Sequence, residues 1–103
     1  MHALIQQKRA AVSDLCRRHR VRRLDLFGSA AGGGFDEESS DLDFLVEFEE
    51  RPPVEHADAY FGLMADLETL FGRPVDLVER RAVRNPFLLE AIEASRVVLY
   101  AAA

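Results

Sequence analysis

The sequence predicts an α+β protein, close to α/β in pattern, with one mixed sheet of about four strands covered by helices. Two observations lead to this class: helical and strand periodicities alternate along the chain, and no repeat or linker divides it. A length of 103 residues suits one hydrophobic core. We therefore expect residues 1–103 to form a single small domain.

In the first half of the chain, the spacing of apolar residues changes from helical to alternating. The two predicted strands flank a segment rich in Gly and Ser, which reads as a loop with space for one helical turn after Ser29. The predicted order is helix, strand, loop and strand, over residues 3–19, 21–27, 28–40 and 41–49.

The second half predicts two helices that alternate with two short strands. Gly72 stands where the first of these helices should end, and Asn85–Pro86 is typical of the start of the second. The predicted elements are a helix over 55–71, a strand over 74–79, a helix from residue 85 and a strand over 96–100.

The composition is that of a small acidic protein with a packed core. Apolar residues make up 49% of the chain, and the formal net charge is -5. This balance argues against disorder and against stable nucleic-acid binding, which requires a basic surface. The lone Cys16 excludes a disulfide framework, and no apolar run is long enough to span a membrane. We expect a cytoplasmic protein without a membrane segment.

Basic residues are concentrated near the N-terminus. Seven of the 13 Lys and Arg residues lie within residues 8–23, beside Asp14 as the only acid. Cations at the end of a helix complement its dipole, which is the structural interpretation of the Arg17–Arg23 run. The functional interpretation is a patch for phosphates or for an acidic partner, and the sequence leaves both open.

Three aspartates are the candidate chemical groups. Asp41 and Asp43 lie two residues apart on a predicted strand, so their side chains project from the same face. Asp76 lies within an apolar strand, where an acid is costly unless a cation compensates it. If the two strands are neighbours, three carboxylates converge, as they do where proteins bind Mg²⁺ or Mn²⁺ through oxygen ligands.

The turn before these acids is suited to phosphate. Gly28 and Ser29 follow a strand directly, so backbone N–H groups and a hydroxyl are available to an anion. Phosphate binding beside divalent metal ions suits in-line displacement at phosphorus. The residues thus indicate chemistry at a phosphorus atom with two metal ions.

These motifs resemble a known family. Gly28-Ser29, eleven further residues and then Asp41-Leu42-Asp43 resemble the motif of the DNA polymerase β-like nucleotidyltransferases. The wider stretches 26–31 and 40–46 resemble the minimal nucleotidyltransferases (MNT), which are antitoxins paired with HEPN toxins. Val75-Asp76-Leu77-Val78 falls where that family carries its third carboxylate, so the resemblance covers essentially the whole chain.

The resemblance implies roles for individual residues. Asp41, Asp43 and Asp76 would be catalytic and would bind two Mg²⁺ ions, with Mn²⁺ as the alternative. Gly28 and Ser29 would bind the nucleotide, with Ser40 as a minor candidate. Many relatives carry an arginine in the loop after Gly-Ser, whereas residues 30–34 here read Ala-Ala-Gly-Gly-Gly. The Arg17–Arg23 run or a partner would then have to supply that cation.

The function implied is Mg²⁺-dependent transfer of AMP from ATP to a hydroxyl of a partner HEPN toxin. The small size supports a protein acceptor, because little of the chain remains to bind an acceptor once the core is built. Two alternatives stay open: a non-catalytic antitoxin that neutralises the toxin by binding, and a nucleotidyltransferase acting on a small molecule. Assembly into oligomers is possible in each case.

Overall fold

The computed structural model describes residues 3–31 and 41–102. These residues form four α-helices and four β-strands in the alternating order that the sequence predicts. They are α1 (Ala3–Gln7), α2 (Arg9–Arg18), β1 (Val21–Phe27), β2 (Leu42–Phe48), α3 (Pro53–Phe71), β3 (Val75–Glu79), α4 (Pro86–Ser95) and β4 (Val97–Ala101). Short 3₁₀ turns follow β1 and β3, at Gly28–Ala30 and Arg80–Ala82.

The four strands form one mixed sheet in the order β3-β2-β1-β4. β1 pairs antiparallel with both β2 and β4, while β2 pairs parallel with β3. A parallel pair needs a long crossover, and α3 supplies it. The predicted mixed sheet of four strands with helices over it is confirmed.

The two faces of the sheet differ in chemistry. On one face, α2 and α3 pack over the alternating apolar residues of β1 and β2 and form the main core, which includes Val12, Cys16, Leu26, Phe44, Leu63 and Leu67. On the other face, α4 contacts β1, and Asp25, Leu45 and Ile92 are buried. Asp43 and Asp76 lie on this second face.

The N-terminal helix is divided. The predicted single helix over residues 3–19 is wrong in this respect, because α1 and α2 meet at Lys8. The Lys8 N–H donates to the Ile5 carbonyl, a tighter i to i+3 bond, at 3.2 Å. Ile5, Val12 and Cys16 are nevertheless all buried, so the predicted apolar stripe continues across the break.

The helix ends follow the sequence signals. Gly72 ends α3 in the left-handed conformation, with φ of 65°. The Asn85 side chain caps α4 by accepting hydrogen bonds from the N–H groups of Phe87 and Leu88, at 2.9 and 3.4 Å. In residues 3–31 and 41–102, no helix is both long and apolar enough to cross a membrane.

Replacing the cap, Asn85→Ala, should lower the free energy of unfolding by about 1 kcal/mol, because two N–H groups lose their acceptor. For a domain of this size the melting temperature should fall by about 4–8 °C. Thermal unfolding followed by circular dichroism measures the effect. Ser95→Ala, in the last turn of the same helix, is the matched control and should change little. Equal shifts for the two variants would contradict the capping role.

Candidate active site

Asp43 and Asp76 lie side by side in the sheet. They are direct partners in the parallel pairing of β2 with β3, so both side chains project from the face opposite the main core. Asp41 stands one residue before β2 and shares the parity of Asp43. We call this side of the sheet the acid face. The two acid-bearing strands are neighbours, which is the condition that the sequence analysis set for the acids to converge.

Asp43 is electrostatically strained. Its carboxyl is half-buried, and this desolvation, with the negative charges of Asp76 and then Asp41, raises its pKa above the ordinary value. Asp41 and Asp76 are exposed to solvent. A cation near Asp43 would relieve the repulsion, so the donor chemistry fits a divalent ion. Among residues 3–31 and 41–102, however, no three acidic, His or Cys side chains already stand as a metal cluster.

Gly28 makes room for Asp43. It follows Phe27, the direct partner of Asp43 on β1, and has a left-handed φ of 72°. A Cβ at this position would lie 2.5 Å from Asp43 Oδ2, which is a collision. The left-handed φ favours glycine here, and a Cβ would in addition force the Asp43 carboxylate to shift. Ser29 is half-buried in the 3₁₀ turn that Gly28 begins.

The sequence prediction named two further groups of residues. Ser40 and Gly32–Gly34 lie outside the described residues. The Arg17–Arg23 run lies at the start of β1, whereas the acids lie beside its end. Arg23, the last residue of the run, is four residues and about 13 Å from Phe27. The backbone geometry thus argues against this run as the phosphate cation of the site.

A cavity of about 560 Å³ lies at the opposite end of the sheet from the acids, and none of the predicted site residues lines it. Its lining residues include Arg22, Phe48, His56, Glu79 and Arg81. The acids instead occupy an open face. The candidate active site is therefore identified by the chemistry of its side chains and not by a cavity.

The chain is similar to known proteins in sequence and in fold. The family model of the nucleotidyltransferase domain matches residues 8–99. A Methanocaldococcus jannaschii protein named "Putative protein adenylyltransferase" is 37% identical over 76 residues, 74% of each chain. A solved structure described as a "putative minimal nucleotidyltransferase" is 39% identical, with a TM-score of 0.66 and 90% of both chains covered.

A third relative resembles the chain in fold alone. It is part of a complex of a tri-AMPylated Shewanella oneidensis HEPN toxin with an MNT antitoxin. The TM-score is 0.64 at 20% identity, covering 94% of this chain and 72% of the other.

The fold and the matches define a minimal member of the nucleotidyltransferase class. The chain belongs to the nucleotidyltransferase-domain family, and it is a nucleotidyltransferase.

Gly28→Ala should destabilise the protein more than Gly72→Ala does. Both changes place alanine at a left-handed φ, which costs about 1–2 kcal/mol, but a Cβ at Gly72 has nothing within 4 Å. The additional loss of unfolding free energy in Gly28→Ala, compared with Gly72→Ala, measures the contact with Asp43. Urea unfolding of the two variants tests it, and adding Asp43→Ala to Gly28→Ala should remove the excess. Equal losses for the two single variants would contradict the collision.

Asp43→Asn should stabilise the metal-free protein at neutral pH. A raised pKa means that the folded protein binds the proton more tightly than the unfolded chain does. Stability attributable to Asp43 therefore falls as the pH rises from the ordinary aspartate value of about 3.9 through the raised value. The gain in the free energy of unfolding from Asp43→Asn should thus be present at pH 7 and disappear at about pH 3.9, the ordinary pKa of aspartate.

Urea unfolding in EDTA over this pH range measures the effect. Asp58→Asn, at an exposed acid of α3, is the matched control. If wild type were more stable than Asp43→Asn at pH 7, the repulsion argument would fail.

Proposed function

We propose that the chain is a protein adenylyltransferase that transfers AMP from ATP to a hydroxyl of a HEPN toxin and thereby acts as its antitoxin. The observation that carries this proposal is the direct pairing of Asp43 with Asp76 beside Gly28. The adenylyltransferase name of one relative and the AMPylated HEPN complex of another support the reaction and the acceptor.

The acids and the Gly28 turn have complementary roles. Asp43, Asp76 and Asp41 would hold two Mg²⁺ ions, with Mn²⁺ as the alternative, and these ions would neutralise charge on the phosphates. Gly28 and Ser29 would bind the phosphates through backbone N–H groups and the hydroxyl. Ser40 remains a minor candidate for the nucleotide site.

The reaction requires one displacement at phosphorus. The acceptor hydroxyl oxygen forms a bond to the α-phosphorus, and the bond from that phosphorus to the bridging oxygen breaks. The electron pair of the broken bond leaves with pyrophosphate, and Asp76 accepts the hydroxyl proton. Because Asp76 is exposed on an edge strand, a hydroxyl of another protein can approach it. ATP as the donor is consistent with a cytoplasmic location.

Transfer is tested by incubating the chain with ATP, Mg²⁺ and a HEPN toxin, which the proposal expects from the adjacent gene. Intact-mass spectrometry should show AMP added to the HEPN protein by wild type. Asp43→Ala should slow transfer by at least about 10²-fold, because metal-borne charge stabilisation contributes several kcal/mol. Asp58→Ala, which changes an exposed acid away from the site, is the matched control and should retain transfer.

Two other outcomes are informative. A HEPN protein that is silenced but unmodified by wild type and by Asp43→Ala would show neutralisation by binding, and would overturn the catalytic proposal. AMP released onto a small hydroxyl compound, with the HEPN protein unmodified, would favour a small-molecule acceptor instead.

A further inference from the structure

A buried aspartate joins two arginines on the acid face. Asp25 of β1 is 1% exposed. Its carboxylate accepts a hydrogen bond from Arg23 Nε at 2.9 Å and another from Arg96 Nη1 at 3.2 Å. Asp25 lies directly opposite Leu45 on β2, and Leu45 shares its face with Asp43. The cluster and the acids therefore lie on the same side of the sheet.

The pairing of the strands places the Arg96 backbone level with the acids, while its guanidinium contacts Asp25, two residues from Phe27 along β1. One row of partners crosses three strands, formed by Asp76, Asp43 and Phe27. On the fourth strand Val97 pairs with Leu26, so Arg96, one residue earlier, stands beside Phe27. With strands about 4.8 Å apart, the Arg96 backbone is about 10 Å from that of Asp43 and about 15 Å from that of Asp76.

The cluster carries surplus positive charge at this end of the row. Two guanidinium groups share one carboxylate, so Asp25 neutralises only one of them. The Arg96 side chain is 27% exposed, and of its five N–H donors the Nη1 group serves Asp25. Its backbone is fixed at the end of α4 by a hydrogen bond to the Ile92 carbonyl at 2.9 Å. Donors on Arg96 thus remain available at a fixed place.

We infer that Arg96 binds the β- and γ-phosphates of the donor nucleotide and holds the pyrophosphate as it leaves. The inference rests on the proposed function in that a nucleoside triphosphate is the donor. In-line displacement places the attacking hydroxyl and the leaving group on opposite sides of the α-phosphorus. With the hydroxyl at Asp76, the pyrophosphate extends past Asp43 and Gly28 toward Arg96.

Arg96 has the chemistry for this position. A guanidinium is permanently charged and matches phosphate oxygens with paired N–H donors. Asp25 acts as a positioning residue, because its buried carboxylate restricts the Arg96 side chain before the nucleotide arrives. Arg23 makes the corresponding contact from the other side, further from the row of acids, and so provides a matched comparison.

Binding of MgATP and of AMP, measured by calorimetry without any acceptor protein, tests the inference. Arg96→Gln should weaken MgATP binding by roughly tenfold or more and leave AMP binding unchanged, because AMP lacks the β- and γ-phosphates. Arg96→Lys should retain part of the affinity. Arg23→Gln, which loses the same Asp25 partner, should leave both affinities unchanged. Melting temperatures establish that each variant is folded.

If Arg96→Gln binds MgATP as tightly as the wild type does, the inference is overturned. Equal losses of MgATP affinity in Arg23→Gln and Arg96→Gln would overturn it too. If Arg96→Gln does not fold, the Nε–Hε resonance of Arg96 in the wild type decides by NMR. It should shift with MgATP and not with AMP, and no shift with bound MgATP would overturn the inference. MgATP binding without transfer to a HEPN protein would contradict only the proposed function, whereas failure of wild type to bind any nucleoside triphosphate would contradict both.

Discussion

Repulsion between neighbouring carboxylates is the constraint on which the candidate site depends. Asp43 lies beside Asp76 across the parallel pair and is half-buried, so its charged form is disfavoured in the metal-free protein. The apolar face of β2 fixes this arrangement. A slip by one residue would turn Asp43 into the core and Phe44 out to solvent, at a cost far above that of the repulsion. Core packing therefore holds the acids together.

Much of the fold could be predicted because its signals are local. Alternation over residues 41–49 and the helical spacing over 55–71 gave strand and helix bounds within about two residues of β2 and α3. Asn85 and Gly72 act through residues close to them in sequence. The start of α4 and the end of α3 could therefore be predicted as well. A single domain over residues 1–103 and the roles of the individual site residues stay predictions.

Contacts between distant residues could not be predicted in this way. His19 and His56 are both half-buried, and Nε2 of His19 lies 2.7 Å from Asp66 Oδ2. Asp25 has the spacing of a solvated strand acid, and its partner Arg96 is 71 residues away. The close approach of Gly28 to the Asp43 carboxylate likewise depends on a neighbouring strand. Such contacts follow only from the way the helices and strands pack together.

The strand order also gives the site a direction. Asp76 lies on the edge strand β3 and is exposed, whereas the opposite end of the row meets β4 at the C-terminal end of α4. Another protein can therefore approach Asp76 from the β3 edge, while the other end of the row carries the partly exposed guanidinium of Arg96. This asymmetry matches a reaction in which the acceptor is a protein and the leaving group is pyrophosphate. Charge changes in the same direction, from the acids on β3 and β2 to Arg96 beside β1, and in the proposed reaction these two ends would face the acceptor and the phosphates.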